Sequence, residues 1–281
     1  SEALAERPSA AATLRRPRVG FLGVGWIGRH RMEAALATGA IDPVGIADPS
    51  SEQLDAALDL APGASAAAGL DDLLALDLDG LVIATPSALH AEQSIKALEQ
   101  GVAVFCQKPL GRNAGEAAAV VEAARSADRL LAVDLSYRFT EGMQQIRRLM
   151  QEGALGKVFA ADLVFHNAYG PDKPWFYDRT LSGGGCVMDL GVHLTDLALW
   201  ALDYPQVRSV SSSLYAGGER LAAGASQVED YAVATIETAD GTTLRLACSW
   251  RLHAGREAEI SASFYGTGGG AKLSNVDGSF Y

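Results

Sequence analysis

Cysteine is scarce, with three residues in 281, at Cys106, Cys186 and Cys248. An odd number, widely spaced and without a CxxC pair, excludes a disulfide framework and suits a reducing compartment. Histidine is nearly as sparse. His30, His90, His166, His193 and His253 are scattered, so no metal-ligand cluster is legible and no metal is expected. Basic residues are in the minority, 23 Lys and Arg against 34 Asp and Glu, for a net charge of −11. That balance argues against nucleic acid or an anionic membrane surface as the main partner. Long apolar runs are also missing, and none approaches the ~20 residues of a membrane helix. Residues 1–17 are Ala-rich, with Pro8 and Pro17, and lack the apolar core of a signal peptide; they read as a disordered leader. The expected location is the cytoplasm.

What remains is ample for a core. Hydrophobic residues make up 48% and charged residues 20%, in a length that suits two domains. In residues 18–135, continuous apolar runs at 18–22, 43–47, 80–84, 102–106 and 130–133 alternate with helical patterns ending near 38, 60, 100 and 127. Buried strands separated by helices predict a doubly wound parallel α/β domain. Residues 136–281 change character. Strands are expected at 158–166, 207–214, 231–237, 242–250 and 257–265, with one helix at 188–202 and hairpin signals at Asp240-Gly241 and 266–269. This predicts an α+β domain with a mostly antiparallel sheet and a helical layer on one face.

Four segments carry chemistry. Gly23-Val24-Gly25-Trp26-Ile27-Gly28 follows a strand and opens a helix, as a dinucleotide fingerprint requires. Asp48 ends the next strand, where a carboxylate accepts ribose hydroxyls and repels a 2′-phosphate. NAD is therefore the expected cofactor, with NADP the alternative that Ser50 and Ser51 leave open. Thr85-Pro86-Ser87 and His90 follow the strand at 80–84, at an end where open α/β sheets bind ligands. The competing reading of His90 is a surface residue behind a capping Ser87. Cys106-Gln107-Lys108-Pro109 closes the strand at 102–106. Proline holds Lys108 extended, so its ammonium can bridge cofactor and substrate. Gly183-Gly184-Gly185-Cys186-Val187-Met188-Asp189-Leu190-Gly191-Val192-His193 leads into the strong helix. There Asp189 and His193 are i and i+4, an acid/base unit in which the carboxylate orients the ring. Asp196 lies near the same face. Arg138, Trp175 and Tyr177 are further candidates for the substrate pocket, each also readable as core or ion-pair residues.

These motifs together resemble the Gfo/Idh/MocA oxidoreductases, named after glucose–fructose oxidoreductase and inositol dehydrogenase. The resemblance runs from about residue 18 to 281. It implies an N-terminal Rossmann domain and a C-terminal domain with a large open sheet, through which copies pair as homodimers or homotetramers. It implies hydride transfer between a nicotinamide cofactor and a secondary alcohol or ketone of a sugar or polyol. Lys108 matches the lysine of the family's Glu-Lys-Pro motif, which contacts cofactor and substrate. Asp189 and His193 match the aspartate and histidine of the substrate site, with His193 as acid/base. Gln107 stands where the family has Glu. Family members also continue past the segment at 275–281, so a shortened sheet is expected. Two other readings stay open: a dinucleotide-binding metabolite sensor without turnover, and an NAD-assisted lyase of the glycosidase type.

Overall fold

The computed structural model describes residues 15–277. Residues 1–14 of the expected leader lie outside them. Arg15, at its end, bonds Asp79 through both guanidinium nitrogens at 2.9 and 3.0 Å. The chain divides into two compact units, one up to Val82 and one from Ile83.

The first unit alternates β1 (Arg18–Leu22), α1 (Trp26–Ala37), β2 (Asp42–Ala47), α2 (Ser51–Leu60), β3 (Ser65–Ala66) and α3 (Leu70–Leu74), and reaches into β4 (Gly80–Ile83). β1 pairs with β2 in parallel, Phe21 opposite Ile46. Their side chains join Val19, Val24, Met32 and Ala57 in one core. The second unit begins with α4 (Ser87–Glu99), β5 (Ala103–Cys106), α5 (Ala114–Ala127) and β6 (Leu131–Val133). The strands of the parallel sheet run β3-β2-β1-β4-β5-β6, the order of a Rossmann fold.

Then come α6 (Glu141–Gln151), β7 (Val158–Asn167), the one-turn α7 (Arg179–Ser182) and α8 (Val192–Ala201). They are followed by β8 (Val207–Ala216), β9 (Glu219–Arg220), β10 (Tyr231–Thr238), β11 (Thr243–Ser249), β12 (Ala258–Gly266) and β13 (Gly270–Ser274). These strands form a second sheet in the order β13-β12-β7-β11-β10-β8-β9. Its pairs are antiparallel except β7 with β11. Alternation sets its two faces. Leu163, Phe165, Leu244, Leu246, Ile260 and Phe264 turn inward against Met143, Ile146, Leu194 and Leu197 of α6 and α8. The other face carries Asp162 and Arg245, paired at 2.6 and 2.8 Å.

Several elements differ from expectation. α3, α7 and the two-residue β3 and β9 are too short to show a period, whereas α6, also outside the expected elements, buries Met143 and Ile146 on one face. The expected helix at 188–202 is split: Val187–Gly191 is a π-helical turn, and the regular helix starts at Val192.

Candidate active site

Within the first unit, the glycine turn is built to receive an anion. Gly23 has φ +83, a conformation L side chains rarely adopt. The next residues enter α1 with Gly25 at its N-cap, no side-chain cap and no acidic residue in the first turn. α2 and α5 are closed differently, by Ser50 with Glu52 and by Asn113 with Glu116. The positive end of α1 thus carries neither a side-chain cap nor an acidic residue. Asp48 is fixed by backbone donors: Oδ2 accepts from Val24 N–H and Oδ1 from Ser50 N–H, each at 2.8 Å. Each oxygen keeps a second lone pair for a ribose hydroxyl. Trp26 is exposed, with its ring edge-on to His30 at 4.8 Å, and Ile27 is half-buried. Gly28 is buried at the start of the helix. Open helix N–H groups beside a pre-set carboxylate fit a dinucleotide's pyrophosphate and adenosine ribose.

In the second unit, His90 is not on the surface. It is 1% exposed, and its ring nitrogens lie 2.7 Å from Pro109 O and 2.7 Å from Thr85 O. Burial pulls its pKa down, outweighing the two carbonyls that raise it. The ring ties the Thr85-Pro86 turn to the Lys108-Pro109 turn. Thr85 Oγ1 donates to Gln93 Oε1 at 2.6 Å, and Pro86 rather than Ser87 caps α4. Cys106 is fully buried and its thiol is pushed up to about 12, which makes it an inert core group.

Lys108 donates through Nζ to Asp189 Oδ1 at 2.8 Å and to Asp189 O at 2.7 Å. Asp189 Oδ2 accepts from Trp250 Nε1 at 3.0 Å. The expected geometry, with Asp189 orienting His193 across one α-helical turn, is therefore revised. The π turn advances the chain differently from an α-helix, and the Asp189 carboxylate is engaged by Lys108 and Trp250. His193 sits on the first turn of α8, buried, its ring edge-on to Tyr137 at 4.6 Å. Asp196 is held by Arg138 in a two-pronged pair, Nε to Oδ2 at 2.7 Å and Nη2 to Oδ1. Of the two readings of Arg138, the ion pair is the one found.

The glycines before the π turn have a steric cause. A Cβ on Gly185 would sit 1.9 Å from Glu229 O. Glu229, itself buried, accepts from Gly185 and Val187 N–H through Oε1 at 2.9 and 3.0 Å. That carboxylate fixes the turn presenting Asp189. The aromatic loop closes on Trp250: Tyr177 lies 5.5 Å from it, Phe176 lies 6.3 Å from it, and Trp175 stacks on Phe176 at 3.9 Å. Trp250 and Glu229 were not legible as site residues. The only signal for Trp250 was the rule that a buried indole N–H seeks an acceptor. Among the described residues, no group of three His, Cys, Asp or Glu is placed to hold a metal ion, and no helix is long and apolar enough to cross a membrane.

The chain matches known protein families over both of its halves. Residues 17–135 match the model of an oxidoreductase family with an NAD-binding Rossmann fold, and residues 143–272 match the GFO/IDH/MocA C-terminal domain. The chain is similar to D-glucoside 3-dehydrogenase of Escherichia coli (strain K12), 31% identical over 211 residues, covering 72% of this chain and 60% of that one. It is also similar to inositol 2-dehydrogenase 4 of Saccharopolyspora erythraea, 30% identical over 231 residues, covering 81% of this chain and 65% of that one. The chain thus spans less than two thirds of the length of these relatives. Among solved structures, GenD2 from gentamicin A biosynthesis in complex with NAD superposes with a TM-score of 0.84 at 28% identity, covering 97% of this chain and 75% of that one.

Proposed function

The chain belongs to the Gfo/Idh/MocA family of oxidoreductases, and from that premise we propose that it is an NAD-dependent dehydrogenase of a sugar or polyol. The observation that carries this reading is the Lys108–Asp189–Trp250 chain of hydrogen bonds, set at the end of β5 with buried His193 one turn further on. When bound, NAD supplies the ring that accepts a hydride from the alcohol carbon or returns one to a ketone. The protein supplies the rest. N–H groups opening α1 hold the pyrophosphate, and Asp48 takes the adenosine ribose, with Gly23, Gly25, Trp26, Ile27 and Gly28 shaping the cradle. Thr85, Pro86 and Gln107 line the nicotinamide end, with His90 bracing the two turns behind them.

Lys108, held by Asp189, donates to the reacting oxygen, and His193 takes the hydroxyl proton as the carbonyl forms. Asp189 serves as the anchor of Lys108. Trp175 and Tyr177 wall the sugar, while Arg138 is paired with Asp196. The relatives' named reactions on a glucoside and an inositol support a secondary hydroxyl of a cyclic polyol as the target. The outward face of the seven-stranded sheet is the surface through which copies pair. The three buried free thiols suit a reducing cytoplasm. The test is absorbance at the reduced-nicotinamide band with NAD and a panel of glucosides, inositols and anhydrosugars. At least one should be oxidised, and preference for NADP over NAD would overturn the role of Asp48.

A further inference from the structure

Strands β5 and β6 pair in parallel with Cys106 opposite Val133. Just past the strand ends, Asp134 N–H donates to Cys106 O of β5 and Gln107 N–H donates to Ile83 O of β4, each at 2.9 Å. Gln107 and Asp134 therefore leave the sheet side by side. Both are buried, at 7% and 6% exposure. The Gln107 side-chain amide donates to Asp134 Oδ2. An ionised carboxylate only accepts, so a glutamate at 107 cannot make this bond to an ionised Asp134. The pair holds a single negative charge, and it stands on Asp134 at the end of β6 rather than on the residue before Lys108.

We propose that Asp134 is a positioning residue: its carboxylate, gripped by Gln107, fixes the turn from which Lys108 reaches Asp189. The role rests on the reading of Lys108 given above, whereas the pairing of charge and amide does not. Three variants separate the two. Gln107→Glu brings two carboxylates into contact where water is excluded, and such a pair retains a shared proton well above the usual carboxylate range. The folded state then binds more protons than the unfolded one, so stability falls as pH rises. Gln107→Glu should melt at least about 5 °C below the wild type near pH ~8 and recover toward pH ~6. The groups around the pair do not mimic this. Cys106 is pushed up to about 12, Lys108 points to Asp189, and His90, whose pKa is lowered, works in the opposite direction.

The exchange Gln107→Glu with Asp134→Asn re-forms the bond with its polarity reversed. It should restore melting to within about 2 °C of the wild type. Asp134→Asn alone keeps an acceptor but loses the charge, and should lower kcat by about tenfold with KM for NAD unchanged. A double variant that melts as low as Gln107→Glu, or a Gln107→Glu variant that melts like the wild type at both pH values, overturns the charge pairing. An unchanged kcat in Asp134→Asn overturns the positioning role. If the wild type oxidises none of the panel sugars, the reading of Lys108 falls, and the melts still judge the pair.

Discussion

At the scale of single residues, the site divides its labour between groups that hold and groups that move a proton. Asp189 is a holder, because both carboxylate oxygens have donors, Lys108 and Trp250. His193 is buried, with its ring edge-on to Tyr137. His193→Ala should lower kcat by about 10²–10⁴-fold, the usual worth of a general acid/base, with NADH affinity unchanged. Single-turnover absorbance together with a fluorescence titration of NADH checks both parts. Trp250→Phe keeps an aromatic ring for the edge-on contacts with Phe176 and Tyr177 but removes the donor to Asp189, and should lower kcat by about tenfold through the loosened Lys108 anchor. Steady-state kinetics decide this, and an unchanged kcat would make Trp250 a packing residue only.

Among elements, the π turn is the informative one. It converts the Gly-rich segment into a platform capped by Glu229 rather than into the first turn of a long helix. Gly185→Ala drives a methyl into the Glu229 carbonyl, at 1.9 Å. It should cost about 1–3 kcal/mol or more, measurable by urea unfolding, and should lower activity as Asp189 shifts. This is also where sequence reading reached its limit. The βα alternation, the glycine cradle, Asp48, Lys108 and His193 were legible, because each depends on local spacing or on residues next to a strand end. The partners of Asp189 were not. They come from Lys108 and Trp250, 81 and 61 residues away, and only tertiary packing brings them together. The i,i+4 rule pointed to His193 because it assumes a regular α-helix, which the π turn interrupts. Gln107 showed the same limit, since its partner Asp134 lies on another strand's end.

At the scale of the whole molecule, acid should destabilise the protein through buried His90 and half-buried His166. Burial lowers the pKa of His90 and His166 below their ordinary 6.5. The unfolded chain therefore binds the extra protons. Stability is fully present above about pH 6.5 and is lost as pH falls toward the folded-state values. Melting curves from about pH 8 to 5 should show a decline beginning near pH ~6.5, and His166→Gln should reduce it. A flat profile over that range would remove both imidazoles from the account. The central claim is that Lys108, anchored by Asp189, polarises the oxygen of a sugar or polyol during hydride transfer. The most direct measurement is single-turnover formation of reduced nicotinamide by the wild type and by Lys108→Met, with saturating NAD and the best sugar of the panel. The account predicts a rate at least about 10²-fold lower in the variant, with NADH binding retained; a variant that turns over within a few fold of the wild type would contradict it.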